Sequence, residues 1–257
     1  LREVLLARRA GDGAAREVHL EDAEALARAG QPVGRPAALR DEVDQRPGDQ
    51  RLVREAAEGG GELELAALQA RLKKCTLCPR NCRVDRTAGE KGVCGLSGRI
   101  LMDCATAHFG EEPPLSGTGG AGTIFLSSCN LKCVYCQNYQ ISHRASGMGM
   151  DAAGLAKVML DLQVRGCHNV EMVTPTPQLP GIIEALLMAR SSGLTIPFVY
   201  NCGGYESPDV IAMLDGLVDI YLPDCKYGLD EEGRMLSGAG DYSGHAAAAV
   251  REMVRQR

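Results

Sequence analysis

Eleven cysteines stand out in this 257-residue sequence, and three of them occur in the short stretch CNLKCVYC. Cys129, Cys133 and Cys136 have the spacing C-x3-C-x2-C and directly follow the apolar run TIFLSS. Iron–sulfur clusters are held by thiolates, and a cubane cluster normally takes four of them, so three leave one iron open to a substrate. The alternatives are a zinc knuckle or three incidental thiols. A structural zinc site uses four ligands, however, and the nearest histidine, His143, lies seven residues beyond Cys136.

A second set of four cysteines precedes the first. Its spacing is C-x2-C-x3-C-x11-C, and its members are Cys75, Cys78, Cys82 and Cys94. Four thiolates can hold either an auxiliary 4Fe-4S cluster or a structural zinc ion, because both accept an all-cysteine site. The spacing does not separate these two, and incidental thiols are the third interpretation. The four remaining cysteines are expected to be thiols of the hydrophobic core: Cys104, Cys167, Cys202 and Cys225.

The segments that must position these cysteines alternate between strand-like and helix-like patterns. TIFLSS and the cysteine loop are followed by DAAGLAKVMLDLQVRG, which has Asp151 at an N-cap position and apolar residues on one helical face. Three more strand-like segments follow, NVEMVT, IPFVYN and VDIYLPD, with helix-like segments between them. A strand–helix unit repeated four times predicts parallel strands with right-handed crossovers, in a doubly wound sheet or a barrel. In both folds the chemistry lies at the C-terminal ends of the strands.

Polar residues close the later strands. In VDIYLPDCK, side chains alternate between the two faces of the strand, so Asp224 and Lys226 should point the same way and Cys225 the opposite way. A charged pair at this position needs a charged ligand or forms a salt bridge within the strand. Thr174 and Thr176 offer hydroxyls at the end of the second strand.

From about residue 62 to the C-terminus, the chain resembles the radical S-adenosylmethionine (radical SAM) superfamily, in the group related to the pyruvate formate-lyase activating enzyme. The matching stretches are CTLCPRNCRVDRTAGEKGVCG, HFGEEPPLSG, GTIFLSSCNLKCVYCQNYQIS, VTPTP, YNCGGYESPDVIAMLDGLVDIYLPDCKY and the closing helix. The resemblance implies an open (β/α)6 barrel whose cluster has one unique iron that binds the amino and carboxylate groups of S-adenosylmethionine. Reduction then cleaves the sulfonium to methionine and a 5′-deoxyadenosyl radical, which takes a hydrogen atom from the substrate.

The resemblance also implies roles for single residues. Lys226 would neutralise the methionyl carboxylate, and Asp224 would orient the lysine. VTPTP stands where the superfamily has its glycine-rich motif for the SAM amine. The third strand ends at Asn201, Gly203 and Gly204, in the turn that lies against the nucleoside. A tight βα turn is the other interpretation of Gly203 and Gly204. The expected cofactor site is therefore Thr174, Thr176, Asn201, Gly203, Asp224 and Lys226.

The expected function is that of a radical SAM oxidoreductase similar to the activases of glycyl-radical enzymes. It would take hydrogen from a glycine of a partner protein, with flavodoxin or ferredoxin as the low-potential electron donor. Two alternatives stay open: radical SAM modification of a small molecule or peptide, and a non-catalytic iron–sulfur or metal-binding protein.

Three parts are expected along the chain: a low-complexity, weakly ordered extension (1–60), a helix with the cysteine-rich metal-binding module (61–115), and a radical SAM core (116–257). A partner-docking arm is the functional alternative for residues 1–60. Because only about four of six βα units can be counted, the barrel is expected to be C-terminally truncated and the chain to bind a cluster but turn over poorly.

The overall composition limits the kinds of partner that the chain can bind. A formal net charge of −5 leaves no basic surplus for nucleic acid. The sequence contains neither an apolar run of about 18 to 20 residues nor the pattern of a secretory signal, so we expect a cytoplasmic protein without a membrane segment.

Overall fold

The computed structural model describes residues 61–257. The predictions made for residues 1–60, a weakly ordered extension or a docking arm, lie outside this range. Within residues 61–257, no helix has the length and apolar character needed to cross a membrane.

One six-stranded sheet organises the described residues. Its strands are β1 (Ile100–His108), β2 (Ala121–Leu126), β3 (Met148–Met150), β4 (Val170–Val173), β5 (Phe198–Cys202) and β6 (Ile220–Pro223). Their order across the sheet is β3-β1-β2-β4-β5-β6. Strands β2, β4, β5 and β6 are parallel, whereas β1 pairs with β2 and β3 in the antiparallel sense. The α/β class and the four parallel strands are confirmed, and the radical SAM barrel stays a prediction.

The two antiparallel strands were not predicted from the sequence. The pairing of β1 with β2 shifts register between Met102 and Cys104, which interrupts the two-residue alternation that marks a half-buried strand. Strand β3 contains only Met148, Gly149 and Met150, which is too short for any period to be visible. Both strands add to the edge of the sheet that lies beyond β2.

Helices connect and cover the strands. Besides a helical stretch over residues 61–70 (α1), they are α2 (Pro113–Ser116), α3 (Tyr139–Ser142), α4 (Ala152–Val164), α5 (Leu179–Ser191), α6 (Pro208–Ala212), α7 (Asp230–Ser237) and α8 (Tyr242–Arg255). The side chain of Asp151 accepts a hydrogen bond from the Gly154 N–H at the start of α4, so the predicted N-cap is confirmed. Helix α7 was not predicted, because its sequence DEEGRMLS is mostly polar.

Two apolar clusters form the core of the described residues. The larger one packs α4 and α5 against one face of the sheet, with Ile124, Met172 and Tyr200 pointing into it from three neighbouring strands. The smaller one lies under the loop after β2 and is rich in aromatic residues, including Tyr205, Tyr227 and Tyr242. The smaller cluster therefore anchors the cysteine loop to α8.

Candidate metal centre

The first cysteine triplet lies in the loop between β2 and α3, at the C-terminal edge of the parallel strands. Cys133 is buried, and Cys129 and Cys136 are partly buried. All three pack on the same aromatic cluster. The backbone of this loop adopts a positive φ at Ser128 (74°) and at Lys132 (53°), a conformation that side-chain-bearing residues rarely adopt outside functional loops.

Hydrogen-bond donors point at two of these sulfurs. The Leu131 N–H donates to the Cys129 sulfur (3.3 Å), and the Ser142 hydroxyl donates to the Cys136 sulfur (3.2 Å). Burial raises the pKa of Cys129, and the backbone N–H groups of Lys132 and Leu131 act in the opposite direction. Donors aimed at a sulfur favour its thiolate form and orient it as a ligand. The loop thus fits a cluster bound through three thiolates.

The charged pair predicted after β6 forms, and it lies beside this loop. The Lys226 ammonium makes an ion pair with the Asp224 carboxylate. The hydroxyl of Tyr135, the residue before Cys136, donates to the Lys226 carbonyl (3.2 Å). Although β2 and β6 are separated by two strands, the structure brings Lys226 to the cysteine loop.

Tyr242, the first residue of α8, joins the end of β6 to the turn after β5. Its hydroxyl accepts a hydrogen bond from the Lys226 N–H (2.7 Å) and donates to the Gly203 carbonyl (2.8 Å). Gly204, with φ 77°, packs so closely on this hydroxyl that an added Cβ would stand 2.8 Å from it. Tyr242 therefore holds Gly203 and Lys226 in fixed positions.

Thr174 and Asn201 are neighbours at the ends of β4 and β5. Thr174 has φ 60°, which is a rare conformation for a β-branched residue. Its N–H donates to the Asn201 carbonyl (2.9 Å), and the Asn201 side chain donates to Glu171 (2.7 Å). The structure thus places both predicted residues at the same edge as the cysteine loop.

Thr176 is in a different environment. It is buried, and its hydroxyl donates to the Glu206 carboxylate (2.7 Å) and contacts the Tyr200 hydroxyl (3.0 Å). Tyr200 points into the core between sheet and helices, on the opposite face from the adjacent Asn201. The structure therefore does not bring the Thr176 side chain together with Asn201.

Two buried acids were missed by the sequence analysis. Glu171 on β4 accepts hydrogen bonds from Thr123 (2.8 Å) and Asn201 (2.7 Å), and its only signal in the sequence is an acid inside the apolar stretch NVEMVT. Glu206 is 1% exposed, and burial raises its pKa to about 7. Its second carboxylate oxygen has no hydrogen-bond partner among residues 61–257. No spacing in the sequence marks Glu206.

The second cysteine set also converges. Its four members line one cavity, together with Arg80, Arg86 and Gly92.

The prediction for the isolated cysteines is half correct: Cys167 and Cys202 are buried in the core, but Cys104 and Cys225 are exposed. Cys104 lies at the irregularity of β1, and Cys225 follows the end of β6, so neither side chain turns into the core.

Comparison with known proteins supports the first centre. Residues 115–192 match the family model described as a 4Fe-4S single cluster domain. Four cysteines fall in that segment: the triplet of the loop and Cys167, which precedes β4 and therefore lies at the opposite edge of the sheet.

The chain is also 32% identical over 182 residues to a protein of Methanocaldococcus jannaschii named uncharacterized protein MJ0674. The aligned residues make up 66% of this chain and 50% of that relative. The chain thus spans about half the length of the curated relative that it matches. Together with the geometry of the loop after β2, these comparisons support an iron–sulfur protein.

Proposed function

We propose that the chain is a radical SAM enzyme. Cys129, Cys133 and Cys136 would each bind one iron of a 4Fe-4S cluster and leave the fourth iron open. The observation that carries this proposal is the contact of Tyr135 with Lys226, since it places a charged pair beside the cysteine loop. An open cluster with an adjacent cation and anion suits a ligand that carries both a carboxylate and an amine.

S-adenosylmethionine is such a ligand. The Lys226 ammonium would bind its carboxylate, and Asp224 would hold the ammonium in place, because the two side chains are already paired. Thr174, Asn201 and Gly203 lie along the same edge, where the adenosyl part of the cofactor would extend. Thr176 would act through its position in the loop, since its hydroxyl is bound to Glu206.

The chemistry would be a one-electron cleavage. Cys129, Cys133 and Cys136 would hold the cluster, and the chemistry that it would supply is a one-electron cleavage of the C5′–S bond of the sulfonium. The products would be methionine and a 5′-deoxyadenosyl radical able to take a hydrogen atom from a substrate C–H bond. Flavodoxin or ferredoxin would donate the electron. The protein would contribute orientation, since the three cysteines pack on the aromatic cluster beneath the loop.

The substrate suggested by the resemblance is a glycine of a partner protein. Its test is a candidate glycyl-radical protein labelled with deuterium at glycine, incubated with the reduced chain and S-adenosylmethionine. Transfer of the label into 5′-deoxyadenosine would identify an activase. Formation of unlabelled 5′-deoxyadenosine would direct the search to small molecules or peptides.

The radical SAM proposal itself is tested without a substrate. The anaerobically reconstituted chain is reduced with dithionite, and 5′-deoxyadenosine is measured by chromatography. We expect at least one equivalent per chain from the unaltered protein and none from the Cys129→Ala/Cys133→Ala/Cys136→Ala variant. A redox-active cluster that leaves S-adenosylmethionine intact would favour the non-catalytic alternative.

A further inference from the structure

We propose that Cys75, Cys78, Cys82 and Cys94 hold a second 4Fe-4S cluster, and that this site does not hold zinc. The four residues line one cavity, together with Arg80 and Arg86. This site lies outside residues 115–192, which match the single-cluster domain. The proposal goes beyond the radical SAM function and does not depend on it.

The arrangement of the four thiols separates a cluster from a single ion. Around zinc, four sulfurs at about 2.3 Å from the metal touch one another across the ion and leave no cavity between them. Among residues 61–257, no group of three or more cysteine, histidine or acidic side chains is gathered within the reach of one metal ion. In a cubane cluster each thiolate binds a different iron, so the sulfurs surround a larger space. Four thiols that line one cavity without being gathered around one point fit this arrangement.

Two arginines supply the charge that such a cluster needs. Four thiolates around an oxidised 4Fe-4S core carry a net charge of about −2. Arg86 is 3% exposed, its guanidinium donates to the Ser97 carbonyl, and one of its nitrogens lies 4.0 Å from the Cys75 sulfur. Neither Arg86 nor Arg80 forms an ion pair with a carboxylate in the described part of the chain. A buried cation without a carboxylate partner calls for another anion, and the cavity places that anion beside it.

Backbone geometry is adapted to Cys82. The Val93 N–H donates to the Cys82 sulfur (3.4 Å), as a donor to a cluster ligand would. At Gly92 an added Cβ would stand 2.7 Å from this sulfur. Glycine at position 92 therefore leaves room for the sulfur to face the cavity.

The two cysteine sites adjoin each other. The Ser128 hydroxyl donates to the Cys94 carbonyl, and the Arg80 guanidinium donates to the carbonyls of Asn130 (2.8 Å) and Leu131 (3.2 Å). Asn130 itself lines the cavity. The metal of each site must therefore be identified in a variant that lacks the cysteines of the other site.

The decisive protein is the Cys129→Ala/Cys133→Ala/Cys136→Ala variant of the full chain. Iron, sulfide and zinc are measured in the protein purified without oxygen and again after reconstitution with iron and sulfide. We expect about four iron and four sulfide ions per chain, and a low-temperature electron paramagnetic resonance (EPR) signal after reduction that S-adenosylmethionine does not change. One zinc ion per chain without sulfide, or no bound metal, would overturn the proposal.

Gly92→Ala provides a second test that removes no ligand. The new Cβ must displace the Cys82 sulfur, so we expect this variant to lose at least half of the second cluster and to retain the first. Gly98→Ala is the control, because its Cβ would lie 3.6 Å from the nearest atom, an ordinary contact. Full retention of both clusters in Gly92→Ala would contradict Cys82 as a ligand. A failure of the radical SAM proposal would instead appear as a first cluster that is indifferent to S-adenosylmethionine.

Discussion

Lys226 is the residue on which the proposed cofactor site depends most directly. It is paired with Asp224, and its backbone is held by Tyr135 and Tyr242. A hydrogen bond to a charged group contributes about 1.5 to 3 kcal/mol, so Lys226→Ala should weaken S-adenosylmethionine binding by about 10- to 150-fold. The dissociation constant is measured by titrating the cluster's EPR signal with S-adenosylmethionine.

The matched control for this variant is Lys157→Ala, which removes an exposed ammonium from α4, away from the strand ends. It should bind S-adenosylmethionine like the unaltered chain. Equal affinity in both variants would remove Lys226 from the cofactor site.

Glu206 provides a prediction about pH and stability. Burial raises its pKa from 4.5 to about 7, so the folded chain holds a proton that the unfolded chain releases. The free energy of unfolding should therefore fall as pH rises from about 4.5 to about 7, by roughly 3 kcal/mol in total. A negatively charged cluster on the nearby cysteines would act in the same direction, because it also disfavours the carboxylate.

Glu206→Gln removes this charge and should abolish that part of the pH dependence. The measurement is urea unfolding at several pH values between 4.5 and 8. The stability of Glu206→Gln relative to the unaltered chain should increase with pH. Glu62→Gln, on the exposed side of α1, makes the same chemical change without burial. A constant difference between Glu206→Gln and the unaltered chain would contradict a buried, proton-holding Glu206.

At this scale the sequence predicts residues whose function requires close spacing along the chain. Cys129, Cys133 and Cys136 could be found because the ligands of one loop must be near neighbours. The pair of Asp224 and Lys226 could be found because strand alternation places residues i and i+2 together. The role of Glu206 could not be predicted, since its partner Thr176 lies 30 residues earlier and only the fold brings the two together.

Among the elements, the turn after β5 and the start of α8 form the junction that positions Lys226. Gly204→Ala should disturb this junction in two ways. It forces a side chain into φ 77°, and its Cβ would stand 2.8 Å from the Tyr242 hydroxyl. The backbone strain costs about 1 to 2 kcal/mol, and losing the bonds of Tyr242 costs about 1 to 3 kcal/mol more. We therefore expect lower stability in urea and several-fold weaker S-adenosylmethionine binding.

Gly216→Ala separates these two effects. Gly216 has φ 76°, but an added Cβ would meet nothing within 4 Å. This variant should show the strain cost alone and bind S-adenosylmethionine normally. If Gly204→Ala and Gly216→Ala had the same stability and affinity, Tyr242 would have no part in holding the site.

Elements were predictable where one hydrophobic period was sustained. The four parallel strands and helices α4 and α5 follow from the alternation of apolar runs and helical faces. Strand β1 escaped prediction because its irregularity breaks the period, and β3 and α7 because one is short and the other polar. The two missed strands are the outer two on one side of the sheet, and both pair in the antiparallel sense, which the repeated strand–helix pattern does not predict.

In the described part of the chain, two cysteine sites lie next to each other at one end of a mixed sheet. The module of residues 75–94 is fastened to the loop after β2 by Arg80, whose guanidinium also donates to the carbonyls of Ser237 and Gly238. The spacing of cysteines along the chain does not show whether separate segments form a cavity, so the sequence alone could not identify the metal of the second site. Asn130 lies at both sites, and this contact could be seen only in the folded chain.

The most direct test of the open-iron site is low-temperature EPR of the reduced, reconstituted chain, recorded with and without S-adenosylmethionine. We expect a 4Fe-4S signal that shifts when S-adenosylmethionine is added, and loss of this shifting signal in the Cys129→Ala/Cys133→Ala/Cys136→Ala variant. If no part of the signal of the unaltered chain changed with S-adenosylmethionine, or if a shift survived in the variant, an open-iron site in the loop after β2 would be contradicted.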